Sequence, residues 1–327
     1  MIINKHPRAT KMIVCEALSR RIIPHHPKIG IIKDDLAAEI SGHKGEQSLD
    51  YYLEPLSEKR YQILHGLRLP NGQRFFQIDS LVISPNFILP IEAKNHTGTI
   101  YLDSDFNQMI QEKPDYKKVW PDPVLQVERQ QWELRKWLQT HRFPSIPIVP
   151  LVAFTNKNCL LTTAPGNEKI YEKVCKPGDL FNRVNQLEKQ FQEEKYCPKT
   201  IGKLTRLLLK KHTPHTASSI LAQYNITSSD ILTGAQCPNC FKIPMSYYRG
   251  TWICPICRTQ SEVAHIQAIH DYFLLIKPTI TNIELRQFLH LPNEKAAQRI
   301  LISLKLPFFG DKRWRVYHAN GVDILGL

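Results

Sequence analysis

The sequence predicts an α/β protein: a mixed sheet flanked by helices, followed by a small four-cysteine module and a winged helix-turn-helix-like helical region. Three patterns predict it. Between Tyr61 and Phe154, segments rich in β-branched and aromatic residues can be read in the order strand, strand, strand, helix, strand. Cys237, Cys240, Cys254 and Cys257 are spaced as C-x2-C-x13-C-x2-C. Beyond His265, apolar residues recur every three or four positions, the period of helices.

The 327 residues hold 43 Lys and Arg against 30 Asp and Glu, a formal net charge of +13. That balance favours a polyanionic partner, nucleic acid first and an acidic membrane surface second. No apolar run approaches the ~18 residues that span a bilayer. The N-terminus, with Lys5, His6, Pro7 and Arg8, lacks the apolar core of a secretion signal. Four of the eight cysteines fall in two C-x-x-C pairs, while Cys15, Cys159, Cys175 and Cys197 are scattered. Such usage suits a reducing compartment and one metal site better than a disulfide framework. A soluble, cytoplasmic protein is expected, with no membrane partner.

Residues 1–36 read as an irregular leader broken by Pro7, Pro24 and Pro27. From Asp34 the spacing becomes helical, with Leu36, Ile40, Leu49, Leu53 and Leu56 available for burial and Glu46 inside the helix. Tyr61 to Leu69 reads as a strand, Pro70-Asn71-Gly72 as a hairpin turn, and Phe75 to Ile83 as the next strand. Ser84-Pro85-Asn86 is a turn signature, and Phe87 to Ala93 is the third strand. Thr99 to Leu102 extends the same sheet to four strands. Pro121 to Gln139 is a helix opened by two prolines, with Leu125, Trp132 and Leu138 facing the sheet. Ile146 to Phe154 has the near-continuous apolarity of a buried parallel strand.

Within the second and third strands lies a polar set. Asp79 interrupts an apolar run, where an ionised carboxylate is costly unless a cation or donors meet it. Side chains alternate along a strand, so Glu92 and Lys94 share a face. Two carboxylates on adjacent strands are suitable hard ligands for Mg2+. Lys94 can position or deprotonate a water, or offset charge on a phosphate. The plain alternative is a turn-capping Asp beside a surface Glu–Lys pair.

Asp79 followed by Glu92-Ala93-Lys94 resembles the core of the PD-(D/E)xK nucleases, and the surrounding sequence is similar to their NERD (nuclease-related domain) branch. Gly42-His43-Lys44-Gly45-Glu46 resembles that family's leading G-x-x-G-E helix, and Asp122-Pro123-Val124-Leu125-Gln126 its later N-P-x-x-Q helix start. The resemblance spans roughly Ser41 to Phe154. It implies a nuclease-like fold, a catalytic Mg2+ or Mn2+ on Asp79 and Glu92, Lys94 as the catalytic base or water-positioning group, Glu46 as a third acid and Gln126 in support. Without it, Glu46 is equally a solvated helix carboxylate and Gln126 an exposed helix glutamine. Two departures stand out: Asp122 where Asn is commoner, and Gln130 where related nucleases often carry Tyr.

Further on, Leu180 to Glu194 and Thr200 to Lys211 read as helices, the second with Lys203 and Arg206 among five basic residues near it. These belong to a solvated face or to a phosphate contact. Thr213 to Gln236, rich in Thr and Ser, reads as a linker. The four cysteines can close tetrahedrally on a structural Zn2+ with no open position, as a zinc ribbon. The hairpin between the pairs carries Arg249. Helices at 265–276, 281–289 and 294–304, with a wing strand at Trp314 to Tyr317, resemble a winged helix-turn-helix with Lys295 and Arg299 on the outer face of its third helix. The expected domains are a leader (1–36), a nuclease-like domain (37–195), a basic helix and linker (196–233), the ribbon (234–264) and the helix-turn-helix-like region (265–327). The leading expectation is a metal-dependent nuclease acting on nucleic acid, DNA first, in DNA processing, repair or defence. A non-catalytic nucleic-acid-binding protein on a nuclease-like scaffold is the alternative, and a ribbon-based protein adaptor a third.

Overall fold

The computed structural model describes residues 2–4, 6–56, 60–167, 170–311 and 314–319. The chain divides into two compact units, Met1–Ala9 with Ala38–Pro214, and Thr10–Ala37 with His215–Leu327. No described helix is long and apolar enough to cross a membrane.

In chain order the elements begin with helices α1 (Thr10–Arg21) and α2 (Ile29–Leu53) and strands β1 (Gln62–Asn71), β2 (Arg74–Ile83), β3 (Ile88–Lys94), β4 (Gly98–Asp103), β5 (Gln108–Lys113) and β6 (Tyr116–Pro121). Helix α3 (Pro123–Thr140) follows, then β7 (Leu151–Phe154), β8 (Cys159–Thr163), a single turn α4 (Ile170–Lys173), β9 (Val174–Cys175), α5 (Leu180–Gln190) and α6 (Pro198–Lys211). The rest of the chain contributes α7 (Ala217–Tyr224), β10 (Ser246–Tyr248), β11 (Thr251–Ile253), β12 (Gln260–Ser261), α8 (Ala264–Leu275), β13 (Thr279–Thr281), α9 (Asn282–Leu289), α10 (Glu294–Ser303), β14 (Phe308–Phe309) and β15 (Val316–His318).

The first unit is built on a five-stranded mixed sheet in the order β1-β2-β3-β7-β9. The first three strands run antiparallel, and β7 and β9 lie parallel to β3. One face is covered by α3 and α6, which bury Leu134, Trp137, Leu204 and Leu208 against Leu67, Ile78 and Leu81. The other face takes Leu49 and Leu53 of α2 and Leu180 and Val184 of α5 against Val82, Leu89 and Ile91. Apolar residues on both faces explain why these strands read as continuous hydrophobic runs.

The strand expected as the fourth of this sheet instead joins a second sheet, β6-β5-β4-β8. Gly98 turns the chain away with φ +85°, and a Cβ there would come within 2.4 Å of the Glu112 carbonyl oxygen. Only glycine fits that turn. Strand β6 is almost wholly exposed, and β5 buries only Met109 and Gln111 before an exposed Glu–Lys end, so no apolar periodicity announces them. Helix α3 buries Val127, Gln130, Leu134, Trp137 and Leu138, while Leu125 and Trp132 point to solvent, contrary to expectation. Residues 127, 130, 134, 137 and 138 form one helical stripe, and Leu125 and Trp132 fall off it.

In the second unit, α1 occupies much of what reads as an irregular leader; Pro7, Pro24 and Pro27 lie outside the helix and bound it. It packs with α7 and α8 through Val14, Leu18, Ile220, Tyr224 and Leu275. Helix α7 lies within the segment that reads as a linker, whose polar residues act as caps: Thr216 Oγ1 accepts from Ser219 N, and Thr227 and Asp230 form a capping box. The remainder forms the three-stranded sheet β10-β11-β12 and a helical module with the sheet β13-β15-β14. These share one core, in which Trp252 and Met245 pack with Tyr272, Leu285 and Leu301.

Candidate active site and metal centres

The polar set on β2 and β3 comes together on one face. The β2–β3 register pairs Ser80 with Ile91, so the next step sets Asp79 opposite Glu92. Asp79 Oδ2 accepts from the Ala93 N–H at 3.0 Å. Lys94 Nζ donates to Glu92 Oε1 at 2.7 Å and to Gln126 Oε1 at 2.9 Å. Gln126 Nε2 donates to Glu92 Oε1 and Gln130 Nε2 to Glu92 Oε2, each at 2.6 Å. Glutamines one turn apart on α3 thus grip both oxygens of one carboxylate. Gln130, which the sequence marks only as a departure from a pattern, is buried and central to this cage. Its own Oε1 is buried without a hydrogen bond.

Helix α3 is aimed by its start. Asp122 Oδ1 accepts from Val124 N at 2.7 Å, and Pro123 occupies the first turn. Asp and Asn are both good N-caps, so Asp in place of Asn keeps the geometry. Helix α2 is aimed by Gly45: a Cβ there would lie 2.7 Å from Asn95 Cβ and 2.9 Å from Thr155 Oγ1. Those residues follow directly on β3 and β7, and Asn95 Nδ2 donates to the Ser41 carbonyl at 2.8 Å. The glycine therefore lets the helix close on the strand ends, which brings Glu46 within electrostatic reach of Asp79.

Burial first, and then the charges of Glu92 and Glu46, push the Asp79 carboxyl well above its usual range, with the Ala93 N–H and Lys94 pulling the other way. Three acids and one lysine leave the cluster short of positive charge. The donor set fits a divalent cation. A carboxylate offers about four lone-pair positions; Glu92 spends three on Lys94, Gln126 and Gln130, and Asp79 spends one on Ala93.

A second cluster lies in the ribbon. The Sγ atoms of Cys237 and Cys257 are 3.5 Å apart, as are those of Cys240 and Cys254, and all four lie within 4.8 Å of one another. The two knuckles repeat one backbone pattern: Cys237 N donates to Lys242 O and Cys254 N to Thr259 O, each at 2.9 Å. Phe241 and Arg258 close them at positive φ. The hydroxyl and N–H of Thr259 hold the Cys257 thiol below its usual range. Four sulfurs at these separations can hold a metal ion tetrahedrally.

The expected nucleic-acid-binding residues are exposed on their elements. Lys203 and Arg206 lie on α6 of the first unit; Arg249 sits at the β10–β11 turn, and Lys295 and Arg299 on the outer face of α10. The order α8-β13-α9-α10-β14-β15, with a three-stranded sheet, is that of a winged helix.

Residues 41–155 match the family model of the NERD nuclease-related domain. The match takes in Glu46, Asp79, Glu92, Lys94, Gln126 and Gln130, and ends before β8. No curated protein and no solved structure matches the chain.

Proposed function

We propose that the nuclease-related domain at residues 41–155 makes this chain a metal-dependent nuclease that hydrolyses phosphodiester bonds of nucleic acid, DNA foremost. The observation that carries the reading is the Glu92 carboxylate, held by Lys94, Gln126 and Gln130 beside a charge-starved Asp79. Asp79 and Glu92 are the residues to hold Mg2+ or Mn2+, with the Ala93 carbonyl as a further oxygen ligand. Such a cation supplies charge neutralisation at the phosphate and a more acidic water. Lys94 orients that water and offsets charge growing on the phosphate. Gln126 and Gln130 fix the Glu92 rotamer, and Glu46 adds a third acid at the rim.

In this reading the ribbon cysteines hold one structural Zn2+, and Lys203, Arg206, Arg249, Lys295 and Arg299 contact phosphates. Binding then weakens steeply with added salt, because counterions released from the phosphates gain less entropy in a saltier solution. The deciding experiment incubates purified protein with Mg2+ or Mn2+ and single- and double-stranded DNA and RNA. Cleavage that a chelator stops is expected. Binding without cleavage of any of these substrates would leave a nucleic-acid-binding scaffold. Metal analysis of protein prepared without added zinc should find about one equivalent, lost when Cys254 and Cys257 are replaced by serine.

A further inference from the structure

We propose that His6, Asp50 and His65 form a second metal site in the first unit, suited to Zn2+ or another first-row transition-metal cation. The three residues come from separate elements: the N-terminal segment, α2 and β1. One donor atom from each lies within 4.8 Å of the others. Asp50 Oδ1 is 2.8 Å from His6 Nε2 and 3.3 Å from His65 Nε2. In a tetrahedral site with bonds of about 2.0–2.2 Å, ligand atoms are separated by about 3.3–3.6 Å. The Asp50–His65 pair is already at that spacing, and the Asp50–His6 pair, at 2.8 Å, has to open slightly to reach it.

Hydrogen bonding alone leaves this cluster incomplete. His65 Nε2 is buried with no hydrogen bond despite the carboxylate at 3.3 Å, and His6 Nδ1 is also buried without one. Both imidazoles are fully buried and their ring centroids are only 3.7 Å apart. A cation held by the two Nε2 atoms and Asp50 gives the orphaned His65 Nε2 a partner and takes the place of the His6–Asp50 hydrogen bond. The far nitrogen of His65 is then set as in metal-bound histidines, whose second N–H meets an oxygen that fixes the tautomer. His65 Nδ1 is 2.9 Å from Ser80 Oγ, and His6 Nδ1 faces Glu46 Oε2 at 3.8 Å.

Two imidazoles and one carboxylate favour a borderline cation over Mg2+, which prefers oxygen ligands. A cavity of about 550 Å³ lined by Ile2, Ile3, His6, Gln47 and Asp50 adjoins the cluster, so a cation has a way in and a fourth ligand has room. The bound cation fastens the N-terminal segment across β1 and α2. The site uses neither Asp79 nor Glu92, so it stands or falls apart from the nuclease reading.

The test is a calorimetric titration with Zn2+ of full-length protein whose four ribbon cysteines are already loaded. Wild type should take up a further equivalent, and Asp79→Ala should take it up equally well. Asp50→Asn and His65→Gln should each weaken that uptake by at least 100-fold, and Ser80→Ala by about tenfold, the effect of losing a histidine's outer partner. Asp50 is 38% exposed, so its variant keeps the test available if the buried His65→Gln protein does not fold. Wild type that binds no further zinc, or Asp50→Asn that binds as wild type does, would overturn the proposal.

Discussion

Asp79 in the first unit and Asp271 in the second are both buried, 8% and 1% exposed, yet their neighbours are opposite in charge. Burial pushes the Asp271 carboxyl up, but the hydrogen bonds and charges of Arg20 and Arg21 outweigh it and hold the pKa at about 2. Arg21 Nε donates to Asp271 Oδ2 at 2.6 Å, and its Nη1 donates to the carbonyls of Leu232 and Gly234 at 3.0 Å each. Asp79 has one backbone N–H, and its closest charged company includes two further acids. A buried acid with its cations supplied by the chain is part of the framework. A buried acid left short of cations is, in the proposed reading, the place a metal ion takes.

The contrast breaks most visibly under truncation. Asp79→Ala should abolish cleavage while leaving the metal-free protein as stable as wild type or more so, because it removes uncompensated charge. Asp271→Ala should do the reverse. It strands the buried guanidinium of Arg21 and should cost about 3–5 kcal/mol, as broken buried ion pairs do, without removing any group from the candidate active site. Denaturant unfolding and the cleavage assay, run on both variants, measure this. Equal loss of stability in the two would reduce Asp79 to a framework residue.

Lys94→Ala sharpens the comparison within the first unit. Among the described residues Lys94 is the cation that meets Glu92, so its loss should leave the metal ligands in place and lower kcat by ~10²-fold or more. If metal affinity falls as far as kcat, Lys94 holds the carboxylates and does not act on the water.

A smaller effect appears in pH. The folded-state pKa of Asp271 lies below its ordinary value of 3.8, at about 2. Its stabilisation is therefore fully present above about pH 4 and is lost as pH falls towards 2. The shift corresponds to ~2 kcal/mol. Asp79 has the opposite sign, since protonation relieves its crowding. Unfolding measured from pH 6 to 2 should accordingly show a steeper acid loss in wild type than in Asp271→Asn, and a shallower loss in wild type than in Asp79→Asn. Coincident profiles would mean that neither shift is real.

What the sequence made legible follows how local each signal is. The ribbon was readable outright, because four cysteines within one short segment carry their geometry in their spacing. Asp79, Glu92 and Lys94 were readable because a two-residue period and one hairpin place them together. The dependence of the site on Gly45 was visible only as a motif letter, since the Asn95 and Thr155 atoms it admits lie far along the chain. His6, Asp50 and His65 carried no signal at all, being three unremarked residues joined only by the fold. Helix α1 was hidden by prolines that bound it, and β4 left the first sheet through a glycine turn that no strand propensity records.

Gln130 carries the smallest expected effect and the sharpest test of the cage. It donates to Glu92 Oε2, while Lys94 and Gln126 both donate to Oε1. Gln130→Leu keeps the volume and the burial but frees one carboxylate oxygen to rotate, so kcat should fall about tenfold, with KM unchanged and the metal still bound, as when a ligand loses an outer hydrogen bond. Nucleases that the sequence resembles often carry Tyr at this place, and its hydroxyl is also a donor, so Gln130→Tyr should recover most of the loss if the role is to donate to Glu92. If Tyr is as poor as Leu while both variants fold, Gln130 acts instead through its buried, unpaired Oε1, and the cage around Glu92 is set by Lys94 and Gln126 alone.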